Sequence, residues 1–191
     1  VFNCMNTDKI CIFTDTGKMH TIKAVDIPLG RFRDKGTPVD NLSNYDSSQE
    51  RMLYVAPVGQ LRSDRLLFVT KTSMCKLVEG AEFDVAKRTI ASTKLADEDE
   101  LIFIGSASEM EQIVLQSHGG CFLRFLTQEV STMKKTALGV RGMKLADDDY
   151  LEHAYLLAGH QEYTISYHDK EYALNKVRLA KRDTKGIKPR I

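Results

Sequence analysis

The sequence predicts an all-β, propeller-like fold with about four blades of about 48 residues each. Three observations support this prediction. A sequence unit recurs four times, its segments are short and rich in Val, Ile, Phe, Tyr and Thr, and Gly, Asp or Asn interrupts each segment before a helix could propagate. Repeats of ~40–50 residues with about four short strands each are typical of propeller blades. A single blade cannot bury both of its faces, so neighbouring blades must pack together.

The recurring unit consists of an apolar strand, a polar turn and a second, mixed strand. Its four copies turn at or near Gly17, Ser73, Gly120 and Asp169, which are 56, 47 and 49 residues apart. From this spacing we predict one domain, with approximate blades at residues 1–57, 58–108, 109–158 and 159–191.

A second landmark follows each turn after about 20 residues, and in three copies it contains a glycine: Gly36, Gly139 and Gly186. Glycine there supplies a positive φ or a bulge at which a strand can bend sharply. The second copy has Ile90-Ala91-Ser92 at this point and is the degenerate member.

An acidic run also recurs. Lys94-Leu95-Ala96-Asp97-Glu98-Asp99 returns 50 residues later as Lys144-Leu145-Ala146-Asp147-Asp148-Asp149. Neither copy has the spaced Asp-x-Asp-x-Asp-Gly pattern of a calcium-binding loop. We therefore expect solvated turns that face away from any anionic ligand.

Composition excludes several classes of protein. Hydrophobic residues make up 42% and charged residues 28%, so the chain is not compositionally disordered. No apolar run approaches the ~20 residues that a membrane span needs. Four cysteines without a Cys-x-x-Cys spacing fit a reduced, cytoplasmic compartment. The absence of an initiator methionine at Val1 suggests a fragment or a processed chain. We find no zinc-binding spacing, phosphate-binding loop or Gly-x-Ser-x-Gly motif, and expect no catalytic residues, metal or cofactor in this chain.

The repeat landmarks resemble those of a known family. Asp8–Pro28 (DKICIFTDTGKMHTIKAVDIP) followed by Arg33–Leu42 (RDKGTPVDNL) is similar to a blade from the C-terminal domain of the bacterial type IIA topoisomerase A subunit. Later stretches resemble its successive blades in family order: Leu67–Phe83, Val114–Leu145 and Tyr163–Lys188. That family comprises the A subunits of DNA gyrase and of topoisomerase IV.

The resemblance implies a β-pinwheel, a propeller variant in which neighbouring blades exchange strands. It also implies a domain that binds duplex DNA without sequence preference, bends it around a basic rim, and presents it to a catalytic core for strand passage. The implied partners are the rest of the same topoisomerase polypeptide and the ATPase subunit, with ATP and Mg²⁺ serving the holoenzyme. The implied location is the bacterial cytoplasm, at the nucleoid. The sequence does not decide whether the chain resembles the gyrase or the topoisomerase IV branch, which handedness the wrapping has, or whether the blade array closes.

Although the chain has 27 basic and 26 acidic side chains, the basic ones recur in the hairpins and in the segments that follow them. Wrapping DNA requires such cations around a convex rim, because phosphate contacts fix the duplex without base readout. The candidate DNA-binding residues are Lys18, Lys23, Arg31, Arg33, Lys35, Lys71, Lys76, Lys87, Arg88, Arg124, Lys134, Lys135, Arg141, Arg178, Lys181, Arg182, Lys185 and Lys188.

Two other interpretations stay open. A protein-interaction propeller without DNA binding would show an exposed apolar or aromatic patch in place of a continuous basic rim. A small-ligand propeller enzyme would need convergent polar residues in its central channel.

Overall fold

A computed structural model describes residues 2–31, 33–159 and 161–189. In these residues the chain forms short strands, one single-turn helix and several 3-10 turns, which confirms the all-β, propeller-like prediction. The elements are β1 (Lys9–Thr14), β2 (Lys18–Lys23), β3 (Met52–Pro57), α1 (Val58–Leu61), β4 (Arg65–Thr70), β5 (Met74–Glu79), β6 (Thr89–Ala91), β7 (Leu101–Ser106), β8 (Gln112–Ser117), β9 (Phe122–Leu126), β10 (Val140–Arg141), β11 (Leu151–Leu157), β12 (Thr164–Tyr167) and β13 (Lys170–Ala173).

Each repeat is built on a tight antiparallel hairpin: β1–β2, β4–β5, β8–β9 and β12–β13. The four predicted turn residues all have positive φ, namely Gly17 (74°), Ser73 (72°), Gly120 (79°) and Asp169 (59°). Turns with left-handed residues are favoured in hairpins because their twist matches that of the flanking strands. The turn chemistry in the sequence therefore fixes where each hairpin reverses.

A third strand from the same repeat completes the inner side of each hairpin in the first three blades. β3 pairs with β1, β7 with β4 and β11 with β8, all antiparallel. β7 packs beside β3 on one side and beside β11 on the other. The third strands of neighbouring repeats are therefore adjacent.

The outer strand of each blade comes from the following repeat. β6 of the second repeat pairs with β2 of the first, and β10 of the third repeat pairs with β5 of the second. In the fourth repeat, Ile187 forms an antiparallel bridge with Phe122 on β9. The sheet orders are β3-β1-β2-β6, β10-β5-β4-β7, β11-β8-β9 and β12-β13. This strand exchange is the β-pinwheel arrangement that the resemblance implied.

We call the segment that begins at the end of the first 3-10 turn of each repeat a crossover: residues 27–38, 83–91, 130–141 and 177–187. The last three crossovers end in the strand or bridge residue that pairs with the preceding blade. The landmark glycines lie in these crossovers. Gly36 and Gly139 have positive φ, of 70° and 109°. Gly186 does not share this conformation and is required for space, since a Cβ there would lie 3.0 Å from the Phe122 carbonyl oxygen. The second crossover forms its donated strand without glycine.

The core consists of apolar layers between blades, since each layer takes residues from two neighbouring repeats. Between the first and second blades, the ring of Phe83 packs edge-on against Phe13 with centroids 4.9 Å apart. Phe125 and Val130 lie in the next layer, and Phe122 with Val177 in the last. Burial of these side chains, at roughly 25 cal/mol per Å² of apolar surface, is what holds successive blades together.

Candidate nucleic-acid interface

One basic residue recurs at the same position of every crossover. Each lies four residues after an apolar residue that follows or ends the 3-10 turn, at Ile27, Phe83, Val130 and Val177. The basic residues are Arg31, Lys87, Lys134 and Lys181, and all four are exposed. Because the second, third and fourth crossovers lead into the outer strands of the preceding blades, Lys87, Lys134 and Lys181 lie near the outer edges of successive blades.

Neighbouring crossovers are hydrogen-bonded to each other. The main-chain N–H of Lys94, just after the second crossover, donates to the Lys135 carbonyl oxygen of the third at 3.1 Å. The N–H of Lys144, just after the third, donates in the same way to Thr184 of the fourth at 3.0 Å. Main-chain hydrogen bonds therefore tie the end of the second crossover to the third and the end of the third to the fourth. We call the exposed cations of the four crossovers the outer rim.

Most of the predicted DNA-binding residues are exposed. Among these, some form no ion pair with any described residue: Lys23, Arg31, Arg33, Lys35, Lys87, Arg88, Arg178, Lys181, Lys185 and Lys188. Lys134 keeps 82% of its side chain exposed and approaches Glu82 at only 3.5 Å. A surface ion pair of that length contributes little, so the Lys134 ammonium remains available to an anionic ligand.

Three other predicted residues pair with carboxylates. Lys18 lies 3.5 Å from Glu50, and Lys71 lies 2.9 Å from Glu100. The hydrogen bond to Glu100 raises the pKa of Lys71 above its ordinary value. Arg141 forms a forked pair with Asp183, and this hydrogen bonding raises the pKa of Arg141 and lowers that of Asp183. A phosphate would have to compete with these carboxylates.

Lys76 does not fit the prediction that it contacts DNA. Its side chain is 1% exposed, and Nζ donates to the carbonyl oxygens of Lys135 at 2.7 Å and Ala137 at 2.6 Å. Burial lowers the pKa of Lys76 to about 8, although Glu82 opposes the shift. Lys76 therefore holds the third crossover from inside and does not reach the rim.

Arg124, Lys135 and Arg182 also turn towards main-chain carbonyls. Arg124 donates through Nη1 to Asn175 and Val177, and through Nε to the side chain of Gln112. Lys135 Nζ donates to the Glu82 carbonyl oxygen, and Arg182 to those of Glu129 and Arg141. These hydrogen bonds give the three side chains a structural role within the domain.

The acidic runs cap the hairpin turns. Asp99 Oδ1 accepts a hydrogen bond from the N–H of Thr72, and Asp149 Oδ1 accepts one from Gly119. Burial opposes ionisation of Asp149, but hydrogen bonds, led by that from Gly119, hold its pKa below the ordinary value. Among the described residues no three His, Cys, Asp or Glu side chains are placed to hold a metal ion.

Sequence reasoning missed a buried polar cluster at Glu50. Its carboxylate accepts hydrogen bonds from Thr14 at 2.7 Å and Thr16 at 3.0 Å, and lies 3.1 Å from His20 Nε2. His20 Nδ1 contacts the hydroxyl of Thr89 on the exchanged strand β6. An alignment of the repeats offers a signal for this cluster. Glu50, directly before Arg51, occupies the position that Asp99, directly before Glu100, occupies in the next repeat, so an acidic residue recurs there.

The fold and its outer edge define a β-pinwheel domain with a basic rim, and comparison with known proteins assigns its family. The family model for the DNA gyrase C-terminal domain, a β-propeller, matches residues 8–47, 64–108 and 111–158. These stretches make up more than half of the chain. The chain therefore belongs to the family of DNA gyrase A C-terminal domains.

Relatives from both branches of the family match. The DNA gyrase A subunit of Ureaplasma parvum is 27% identical over 184 residues, covering 93% of this chain and 22% of the relative. The DNA gyrase A subunit of Salmonella typhimurium is 31% identical over 144 residues, covering 74% and 16%. The DNA topoisomerase 4 A subunit of Bacillus subtilis is 29% identical over 153 residues, covering 78% and 19%. The chain thus spans about a fifth of the length of these relatives.

Solved structures share the fold. The C-terminal domain of DNA topoisomerase IV superposes with a TM-score of 0.85 at 24% identity, covering 95% of this chain and 58% of that one. The DNA gyrase A C-terminal domain gives a TM-score of 0.70 at 22% identity, covering 96% and 60%. In the part of the chain that the structure describes, no helix is long and apolar enough to cross a membrane.

Proposed function

We propose that this domain binds duplex DNA along its outer rim and bends it, as the DNA-wrapping part of a type IIA topoisomerase. The observation that carries the proposal is the in-register exposure of Arg31, Lys87, Lys134 and Lys181 on four consecutive crossovers. A duplex with one charge per ~1.7 Å of axis finds a series of cations along this path.

The chemistry of such a rim is electrostatic and independent of base sequence. Phosphate contacts give a log–log salt slope of roughly −0.9 per phosphate. Bending 20–30 bp by 40–90° costs on the order of 1–6 kcal/mol, which several contacts must offset. The exposed cations named above are numerous enough to do so, and contacts to phosphate carry no base information.

A binding experiment tests this proposal. The 191-residue chain should shift duplexes of about 40 bp or longer at about 50 mM salt and release them steeply as salt rises. Fluorescence transfer between the duplex ends should increase on binding if the DNA is bent. Absence of a complex at low salt would overturn DNA binding by this domain.

The bent duplex would be presented for strand passage to the catalytic core of the topoisomerase, and we propose that core as the protein partner. The chain spans about a fifth of its relatives' length, and we propose that the ATPase subunit, ATP and Mg²⁺ serve the holoenzyme through parts outside this chain. Its relatives are bacterial proteins, and we propose the cytoplasm, at the nucleoid, as the place where it acts.

A second candidate, a protein-interaction propeller, is favoured by one observation. Val25 and Leu29, beside the first crossover's Arg31, have exposed fractions of 68% and 105%. We propose that, if the domain docks protein there, the occupant is the catalytic core. Charge reversal at Arg31 that leaves DNA binding unchanged, while Leu29→Ser weakens association with that core, would favour this candidate over the rim.

A further inference from the structure

Two acidic residues next to the rim are hydrogen-bonded to it instead of being kept away from it. Glu82 directly precedes Phe83 in the 3-10 turn of the second repeat, and its Oε2 accepts the main-chain N–H of Lys135 at 3.2 Å. Lys135 returns the contact, because its Nζ donates to the Glu82 carbonyl oxygen at 2.9 Å. The two residues therefore form a reciprocal pair between consecutive repeats.

The same pair recurs one repeat later. Glu129 Oε2 accepts the N–H of Arg182 at 2.9 Å, and Arg182 Nε donates to the Glu129 carbonyl oxygen at 3.0 Å. Both pairs join residues 53 apart in the chain. The recurrence of both bonds, at equivalent positions, indicates a regular feature of the junction and not an isolated contact.

Each pair fixes the residue that follows a rim cation. Lys134 directly precedes Lys135, and Lys181 directly precedes Arg182. With the second residue of each dipeptide tied inward through both main chain and side chain, the first is left exposed on the rim. The two basic residues of a dipeptide thus have different tasks: one anchors the crossover and the other faces solvent.

The junction between the first and second repeats lacks this pair. Asp26 occupies the position of Glu82 and Glu129, and among the described residues it makes no hydrogen bond to Arg88, the counterpart of Lys135. Arg88 instead uses its carbonyl oxygen, which accepts the N–H of Thr21 at 2.9 Å. At this junction the acidic side chain, Asp26, is shorter than glutamate, and the side chain of Arg88 is exposed and not bonded to it.

We propose that Glu82 and Glu129 are positioning residues of the DNA-binding rim, which hold the third and fourth crossovers so that Lys134 and Lys181 meet phosphates. This inference rests on the proposed function. It makes a prediction opposite in sign to simple electrostatics. Removing an acidic residue near a polyanion's binding surface should strengthen binding, whereas loss of a positioning carboxylate should weaken it.

The test compares alanine and glutamine at these two positions. The double variant Glu82→Ala/Glu129→Ala removes the acceptor and should bind a 40-bp duplex about fivefold more weakly or worse, since a net hydrogen bond corresponds to a factor of that order. Glu82→Gln/Glu129→Gln removes the same charge but keeps an amide oxygen that accepts the N–H of Lys135 and Arg182. It should bind at least as tightly as the wild type.

A matched control is Glu79→Ala, which removes an exposed carboxylate three residues from Glu82 that makes no side-chain hydrogen bond to a described residue. It should leave binding unchanged or slightly stronger. Circular dichroism at the assay temperature establishes that every variant is folded. Amide hydrogen exchange at Lys135 and Arg182 should be slow in the wild type and glutamine variants and fast in the alanine variant.

Equal affinities of the alanine and glutamine variants would overturn the inference, and so would alanine variants that bind as Glu79→Ala does. If the alanine variant is not folded, affinity and exchange in the glutamine variant decide: weak binding or fast exchange at Arg182 overturns the inference. No binding by the wild type would instead remove the proposed function itself. If the wild type binds DNA and substitution of Glu82 and Glu129 leaves the affinity unchanged, the proposed function stands and only the positioning role is refuted.

Discussion

The hydroxyl of Ser73 accepts a hydrogen bond at 2.8 Å from the main-chain N–H of Met143, 70 residues later in the chain. The Ser73 carbonyl oxygen also accepts the N–H of Gly142. The hairpin turn of the second blade is thereby bonded to the residues that directly follow the crossover of the third repeat. Ser73, the one predicted turn residue that is neither glycine nor aspartate, is thus a junction residue.

Ser73→Ala should lower the free energy of unfolding by about 1–3 kcal/mol, because the buried N–H of Met143 loses its acceptor. Denaturant titration followed by circular dichroism measures this change. Ser63→Ala, at an exposed serine, is the control and should stay within about 0.5 kcal/mol of the wild type. A Ser73→Ala protein as stable as that control would show that the hydroxyl does not matter.

Substitution of two glycines, Gly36 and Gly139, distinguishes the cost of backbone strain from the cost of steric overlap. Gly36 has φ of 70° and open space around its missing Cβ, whereas at Gly139, with φ of 109°, a Cβ would lie 2.7 Å from the Cys75 carbonyl oxygen. We expect Gly36→Ala to destabilise by about 1 kcal/mol and Gly139→Ala by about 2–4 kcal/mol. Thermal melting compares them, and equal shifts would contradict the overlap.

Charge reversal at Arg31, Arg33 and Lys35 should weaken DNA binding equally for all sequences. Each lost phosphate contact should make the log–log salt slope less steep by about 0.9. Arg51→Gln is the control: it removes an exposed arginine that directly precedes the inner strand β3, outside the crossovers, and should leave the slope unchanged. A loss that depends on DNA sequence, or a slope changed by Arg51→Gln, would contradict the assignment of DNA binding to the crossover cations.

Glu50 should make the free energy of unfolding depend on pH in the acidic range. Burial would raise the pKa of this carboxyl, but hydrogen bonds from Thr14, His20 and Thr16 outweigh it and hold the pKa at about 2. Since the folded-state pKa lies below the unfolded value of about 4.5, the contribution is complete above that value and is lost as the pH falls towards 2. It is on the order of 3 kcal/mol at most.

Glu50→Gln should remove this part of the pH dependence. Urea unfolding between about pH 5 and 2 should show a shallower loss of stability in the variant than in the wild type, because no proton is taken up at that position on unfolding. Asp97→Asn, at an exposed acidic residue, serves as the control. Parallel curves for wild type and Glu50→Gln would exclude the depressed pKa.

Much of the fold could be predicted because turn chemistry and repeat spacing are local. Gly17, Gly120 and Asp169 were expected at hairpin turns and adopt positive φ there. The site was harder to predict, because the sequence of a repeat does not distinguish a lysine that faces water from one that donates to a carbonyl oxygen. Lys76 and Lys87 could not be told apart by sequence, yet one is buried and the other exposed.

The sequence by itself determined the number of repeats, the places where hairpins reverse and the supply of cations, since these depend on short-range backbone preferences and composition. Only the tertiary structure decided which strand each crossover joins and which cation each carboxylate or carbonyl binds. Those partners lie about 50 residues apart, as Glu129 and Arg182 do. Strand exchange brings them together, and burial then determines whether a basic side chain anchors a crossover or remains free on the rim.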